Sequence, residues 1–375
     1  MRFSALRGAL FAAVAANAFL VVMAGCGHNP TPRRLPPVAF SVSAGPPAAA
    51  PPPVFVGSAA CAECHPKEFA SQSHSRHAQT LKAMTRADLG RLAPATGLIA
   101  GSGLILARHA DRFGMGLAAH LDSIQPLDYA LGSGKTGMTY VSLVEGGRVA
   151  EWRMSYFPHQ RKWYTTPGDA DLDPHALARV LAPEDARTCF RCHAVMASHE
   201  TVVPARRFFG VGCESCHGAG GAHVALMRAG KYAQDPMAAS ENWSADRQIA
   251  LCGQCHGSAM ASSHPVTTDQ TNRFQPFGLA QSRCFRRSNG ALSCATCHDP
   301  HADVGTDTKA YEAVCLSCHT ATAAHRPQPL RTAAIMLCPV NPRDGCITCH
   351  MPARKMIANN SIPTLMADHF IRVQP

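Results

Sequence analysis

Cys213-Glu214-Ser215-Cys216-His217 is one of seven copies of a single pattern in this chain. The others are Cys61, Cys64 and His65; Cys189, Cys192 and His193; Cys252, Cys255 and His256; Cys294, Cys297 and His298; Cys315, Cys318 and His319; and Cys346, Cys349 and His350. Two thiols at this spacing reach the two vinyl groups on one porphyrin edge, and the next residue, His, lies under the iron. One such copy arises by chance or forms half a zinc site. Seven copies, each ending in His, do neither. The expected cofactors are therefore seven haem c groups, with the fourteen cysteines as covalent attachments and the seven His as proximal ligands.

Composition agrees with a core built around cofactors. Only 16% of residues are charged and 6% aromatic, while Gly (29), Pro (28) and Cys (17) are abundant. Long apolar runs for a conventional core are scarce, and flat apolar porphyrins would fill that deficit. The formal charge is +10, or +8 once Arg2 and Arg7 leave with a signal segment. Ionised propionates offset that by about −7 with all irons ferric and about −14 with all ferrous, so the basic sequence is no argument for nucleic acid.

Residues 1–25 read as a secretory signal, with Arg2 and Arg7 ahead of an apolar run from Ala9 to Ala24. Met23-Ala24-Gly25-Cys26 resembles a bacterial lipobox, which makes Cys26 the expected lipid anchor. Residues 26–54 form a Pro/Ala-rich, extended linker. The expected location is therefore exported and lipid-anchored, at an outer membrane facing the periplasm or the cell surface. Cys284 and Cys338 then remain unassigned in an oxidising compartment. They are expected to pair as a disulfide, with two buried free thiols as the alternative.

Residues 55–375 form the haem domain, interrupted by a haem-free insertion at about 97–166. Thr139–Val144 and Val149–Phe157 flank Glu145-Gly146-Gly147-Arg148, a hairpin signal. An earlier hairpin is expected between Leu104–Arg108 and Gly116–Ala119. Six motifs crowd between Cys189 and His350, leaving room for little beyond short helices and loops. His175–Asp185 and Ala222–Arg228 are the better helix candidates. The fold class is thus a multihaem cytochrome c: mainly short α-helices and loops packed around stacked haems, with a small β-hairpin insertion.

Gly210-Val211-Gly212-Cys213-Glu214-Ser215-Cys216-His217-Gly218-Ala219-Gly220 with His223 resembles the third-haem segment of the tetrahaem cytochrome c-554 family. The first motif through Ser75-Arg76-His77 is similar to that family's first segment. Later stretches, including Cys297-His298-Asp299-Pro300-His301 and Asp368-His369-Phe370-Ile371, resemble larger multihaem relatives. The resemblance implies electron transfer with crossed distal ligation. His223 would cap the iron of His65, and His77 that of His217. His301 and His369 match distal positions of unassigned haems, and His264 and His325 are weaker distal candidates. Thr136 stands where relatives carry His after Gly-Ser-Gly. The iron of His193 is therefore either open or ligated by His109, His120 or His159.

The functional expectation is a relay of electrons through seven haems to redox partner proteins, with other cytochromes or a quinol-linked donor as supply. The alternative is a multihaem enzyme reducing or oxidising a small nitrogen or sulfur compound at one open haem. The Cys-x-x-Cys-Lys motif of one nitrite reductase class is absent. The carrier is preferred, and no catalytic residue is assigned.

Overall fold

Thr139–Val144 and Arg148–Trp152 pair antiparallel across the expected turn, where Gly146 and Gly147 take φ of 71° and 69°. Such left-handed backbone suits residues without a Cβ. In this computed structural model the described residues are 52–84, 96–109, 112–167, 169, 172–173, 176–196, 198, 200–237, 243–257, 274–320, 322, 330, 335, 337–355 and 363–373. All lie in one unit, Pro52–Pro375. Cys26, His175, His264 and His325 fall outside them, as do the signal segment and the linker up to residue 51.

The insertion is larger than a hairpin. Its strands are β1 (Leu81–Ala83), β2 (Gly97–Ile99), β3 (Leu104–His109), β4 (Arg112–Leu117), β5 (His120–Pro126), β6 (Tyr129–Leu131), β7 (Thr139–Val144), β8 (Arg148–Trp152), β9 (Met154–Phe157), β10 (Lys162–Thr165) and β11 (Ala178–Leu181). They form a five-stranded sheet in the order β1-β6-β7-β8-β11, a four-stranded meander β2-β3-β4-β5 and the pair β9-β10. The outer strands β1 and β11 are three and four residues long and bond to partners remote in sequence, so no local turn announces them. The single strand expected over Val149–Phe157 breaks at Arg153, whose N–H donates to Leu177 O at 3.1 Å. The earlier hairpin exists, but its second strand starts at Arg112 rather than Gly116.

Both faces of the five-stranded sheet are covered, because alternate side chains point to opposite faces. Ala130, Tyr140 and Trp152 pack with Leu104, Leu106 and Met115 of the meander. Leu81, Leu131, Val141 and Val149 pack instead on Ala186, Phe190 and Ala194. That second face carries the helix Pro183–Arg191, which holds Cys189. The helix expected at His175–Asp185 is thus displaced. Ala178–Leu181 is edge strand, because Arg179 and Val180 pair with Glu151 and Ala150 of β8. The helix starts at Pro183, whose fixed φ suits a first turn.

Eleven α-helices occur among the described residues, and they bear the motifs. Besides Pro183–Arg191 they are Ser58–Cys61, Pro66–Ser73, Cys213–His217, Gly221–Arg228, Ala245–His256, Gln275–Gln281, Arg283–Arg287, Cys294–Cys297, Thr308–Cys318 and Cys346–His350. The candidate at Ala222–Arg228 is met within one residue. The short pair β12 (Ala353–Lys355) and β13 (Leu365–Ala367) carries the chain to His369.

Candidate haem-binding site

Every motif lies on or at the end of a helix. With 3.6 residues per turn, cysteines three apart and the following His stack along one side. Backbone bonds show the turn closing: His65 N–H donates to Cys61 O at 2.8 Å, His298 to Cys294 at 3.0 Å and His319 to Cys315 at 2.9 Å. The motif helices also touch one another. The thiols of Cys61 and Cys213, of Cys192 and Cys255, and of Cys252 and Cys294 lie close to one another. Cys216 interacts with Cys252, Cys297 with Cys318, and Cys315 with Cys346.

Among the described residues, four proximal imidazoles face a second imidazole across a constant gap. His65 and His223 have ring centroids 6.2 Å apart, His77 and His256 6.1 Å, His217 and His301 6.1 Å, and His298 and His369 6.2 Å. Two metal–imidazole bonds of about 2 Å each, plus the two half-rings, add to about 6 Å, so each gap would admit one metal between the two rings. The residues present fit haem c: a thiol pair, a proximal His and, at four positions, a distal His in register.

Backbone and side-chain acceptors orient several of these rings. Nδ1 of His193 contacts Thr80 O at 3.0 Å, that of His223 Asp235 Oδ1 at 2.7 Å, and that of His256 Gln275 Oε1 at 3.2 Å. Nδ1 of His350 contacts Arg372 O at 3.0 Å, and that of His369 Ala367 O at 2.9 Å. Fixing one nitrogen leaves the other free to ligate. Burial holds His77, His193, His217, His256, His298 and His369 below the ordinary imidazole range. Neutral imidazole is the ligating form.

The pairing differs in part from the sequence expectation. His223 faces His65, as the family resemblance implies. His77 faces His256 rather than His217, whose place opposite is taken by His301. The helix after His65 ends at Ser73, so His77 sits in the following turns, where its carbonyl accepts from Val211 N–H at 2.8 Å. His369 lies opposite His298. Among the described residues no second imidazole faces His193. His120 and His159 are both exposed, on β5 and in the turn before β10.

Cys284 and Cys338 are not bonded to each other here. Cys284 lies toward Cys297 and Cys318, and Cys338 accepts from Asn341 N–H at 3.4 Å and interacts with Cys346.

Thr80, Asp235 and Gln275 went unnoticed in the sequence, because nothing in a motif marks a residue that orients a ligand. Glu214 was visible inside its motif, yet its role appears only in three dimensions. Its carboxylate accepts from Val56 N–H at 2.9 Å, Gly57 N–H at 2.8 Å and Gly220 N–H at 2.8 Å.

The family model described as cytochrome c554 and c-prime matches residues 148–218, a span holding the motifs of His193 and His217. The crystal structure of the outer cell wall cytochrome OcwA is similar at a TM-score of 0.49 and 15% identity, covering 85% of this chain and 79% of that one. No curated protein matches. Over residues 148–218 the chain is similar to cytochrome c554 and c-prime, and its motif helices and opposed imidazoles are arranged as haem c attachment requires.

Proposed function

We propose that the chain relays electrons through seven covalently bound haems, as an exported protein tethered by lipid at Cys26. The single observation that carries this reading is the continuity of the motif helices. The helix of Cys61 packs on that of Cys213, the helix of Cys252 on that of Cys294, and the helix of Cys315 on those of Cys294 and Cys346, while Cys216 lies toward Cys252. The motif of Cys189 joins at Cys255 through Cys192. No motif stands apart from this series.

Each bound haem would supply a one-electron ferric/ferrous couple. The chain's part is to hold the irons with neutral imidazoles and to fix ring orientation. His/His ligation at the four opposed positions favours low potentials, since Met/His ligation raises them. A spectroscopically monitored redox titration should therefore show most haems below the standard hydrogen potential and predominantly low-spin. Most midpoints well above it would refute the ligation scheme. Cys26→Ser should release the protein from membranes, and unchanged attachment would refute the anchor. Redox partner proteins, another cytochrome or a quinol-linked enzyme among them, are the implied donors and acceptors.

His193 supports one exception to the His/His scheme. Its ring is pinned by Thr80 O, which also accepts from Gly132 N–H at 2.6 Å, so the Gly132–Gly134 segment packs at this motif. Among the described residues that segment brings no imidazole opposite His193. Two readings stand: an iron open on that side, able to bind a small ligand without turnover, or one ligated by His109, His120 or His159. A high-spin ferric resonance that disappears with His193→Ala supports the open iron. A wholly low-spin spectrum rejects it.

A further inference from the structure

His223 differs from the other oriented imidazoles in the charge of its partner. His193, His350 and His369 contact neutral backbone carbonyls through Nδ1, and His256 contacts a neutral amide. His223 contacts a carboxylate, Asp235 Oδ1, at 2.7 Å. Asp299 also approaches an imidazole, but its oxygen is 3.6 Å from His301 Nδ1, beyond hydrogen-bond range. The His223–Asp235 pair is also sheltered, with side-chain exposures of 20% and 13%.

The chain builds this pair deliberately. The helix Gly221–Arg228 carries His223, and the 3-10 turn Tyr232–Gln234 returns the backbone to place Asp235 beside it. Met237 N–H donates to the same Oδ1 at 2.9 Å, so the carboxylate is held from two directions. Arg228, on the same helix, pairs with Glu63 in an exposed, self-compensating bridge.

A carboxylate accepting from Nδ1 draws that proton away from the ring. Electron density then shifts to Nε2, raising the basicity of the ligating nitrogen. A stronger donor stabilises ferric iron more than ferrous iron, because the oxidised metal carries the greater charge. The potential of that haem falls. Carbonyl and amide acceptors exert the same pull more weakly, since hydrogen bonds to ionised groups are about twice as strong.

We infer that Asp235 is the tuning residue that makes His223 a strong donor and sets the haem of His65 at the lowest potential of the four sites with opposed imidazoles. This inference rests on the His65–His223 ligation proposed above. It places the lowest-potential haem at the end of the motif series nearest the N-terminal linker.

An electron paramagnetic resonance titration of the holoprotein and its Asp235→Asn variant tests it. The variant should keep its covalent haem by mass and its low-spin spectrum. One midpoint should rise by about 59 mV, a roughly tenfold fall in the ferric/ferrous ratio at fixed potential for one electron. Asp235→Glu should restore most of the lost shift. His223→Ala identifies the haem, because it converts that same site to high-spin. Unmoved midpoints in a low-spin variant overturn the inference and leave the ligation intact. A high-spin Asp235→Asn variant also overturns it, since the residue then only positions the ring. If His223→Ala stays wholly low-spin, the ligation itself is wrong. Should Asp235→Asn lose haem, the same midpoint comparison in Asp235→Glu and Asp235→Ala decides the matter.

Discussion

Glu214 holds Gly57 across 157 residues of sequence, its Oε2 accepting the Gly57 N–H at 2.8 Å. Oε1 accepts from Val56 and Gly220, so one buried carboxylate joins the entry to the first motif helix with the third motif. A buried charge satisfied by three donors is costly to disturb. Glu214→Gln loses the charge and directs an N–H at a former donor. The variant should lose about 3 kcal/mol, at about 1.5–3 kcal/mol per hydrogen bond to a charged group. The urea midpoint measures this; an unchanged midpoint would mean the clasp contributes nothing.

The four opposed pairs make a sharp statement about ligation. His77→Ala should create one high-spin haem, and that haem should be the one attached at Cys252 and Cys255. In a Cys252→Ser/Cys255→Ser background, His77→Ala should therefore add no new high-spin signal. A new signal there would return His77 to the iron of His217, as the family resemblance implied.

Asp169 gives the fold a pH dependence with a definite sign. Its side chain is 0% exposed, and burial, then Glu151, pushes its carboxyl up to about 6 against the opposing pull of Arg179 and Arg153. The unfolded value is near 3.9. A raised folded pKa means stability is full below about pH 4 and is lost as pH rises through about 6. Asp169→Asn should remove that loss, stabilising the protein on the order of 1–3 kcal/mol at about pH 8 and little at about pH 4. Greater destabilisation of the variant at the higher pH would contradict this account.

Cys284 and Cys338 should both alkylate in denaturant without reductant, because neither is bonded to the other. Protection of both would restore the disulfide inferred from leftover cysteines.

The motif turn was legible because it is written locally. Cys213, Cys216 and His217 need only one helical turn to come together, and all seven motifs share that turn. Distal ligation was not, because it depends on where separate segments meet. His77 sits beyond the end of its helix and is placed by Val211, over a hundred residues away. The β region divides along the same line. β7 and β8 were read from their intervening glycines, whereas β1 and β11 are held by partners no local pattern reveals. Ala178–Leu181 looked helical by composition and became strand because Glu151 and Ala150 were there to pair with it.

Intact mass of the mature holoprotein counts the haems. The polypeptide mass should be increased by seven covalent haems, one for each Cys-x-x-Cys-His motif, together with the lipid at Cys26. A mass lacking one or more of those haems would contradict a continuous series of seven sites.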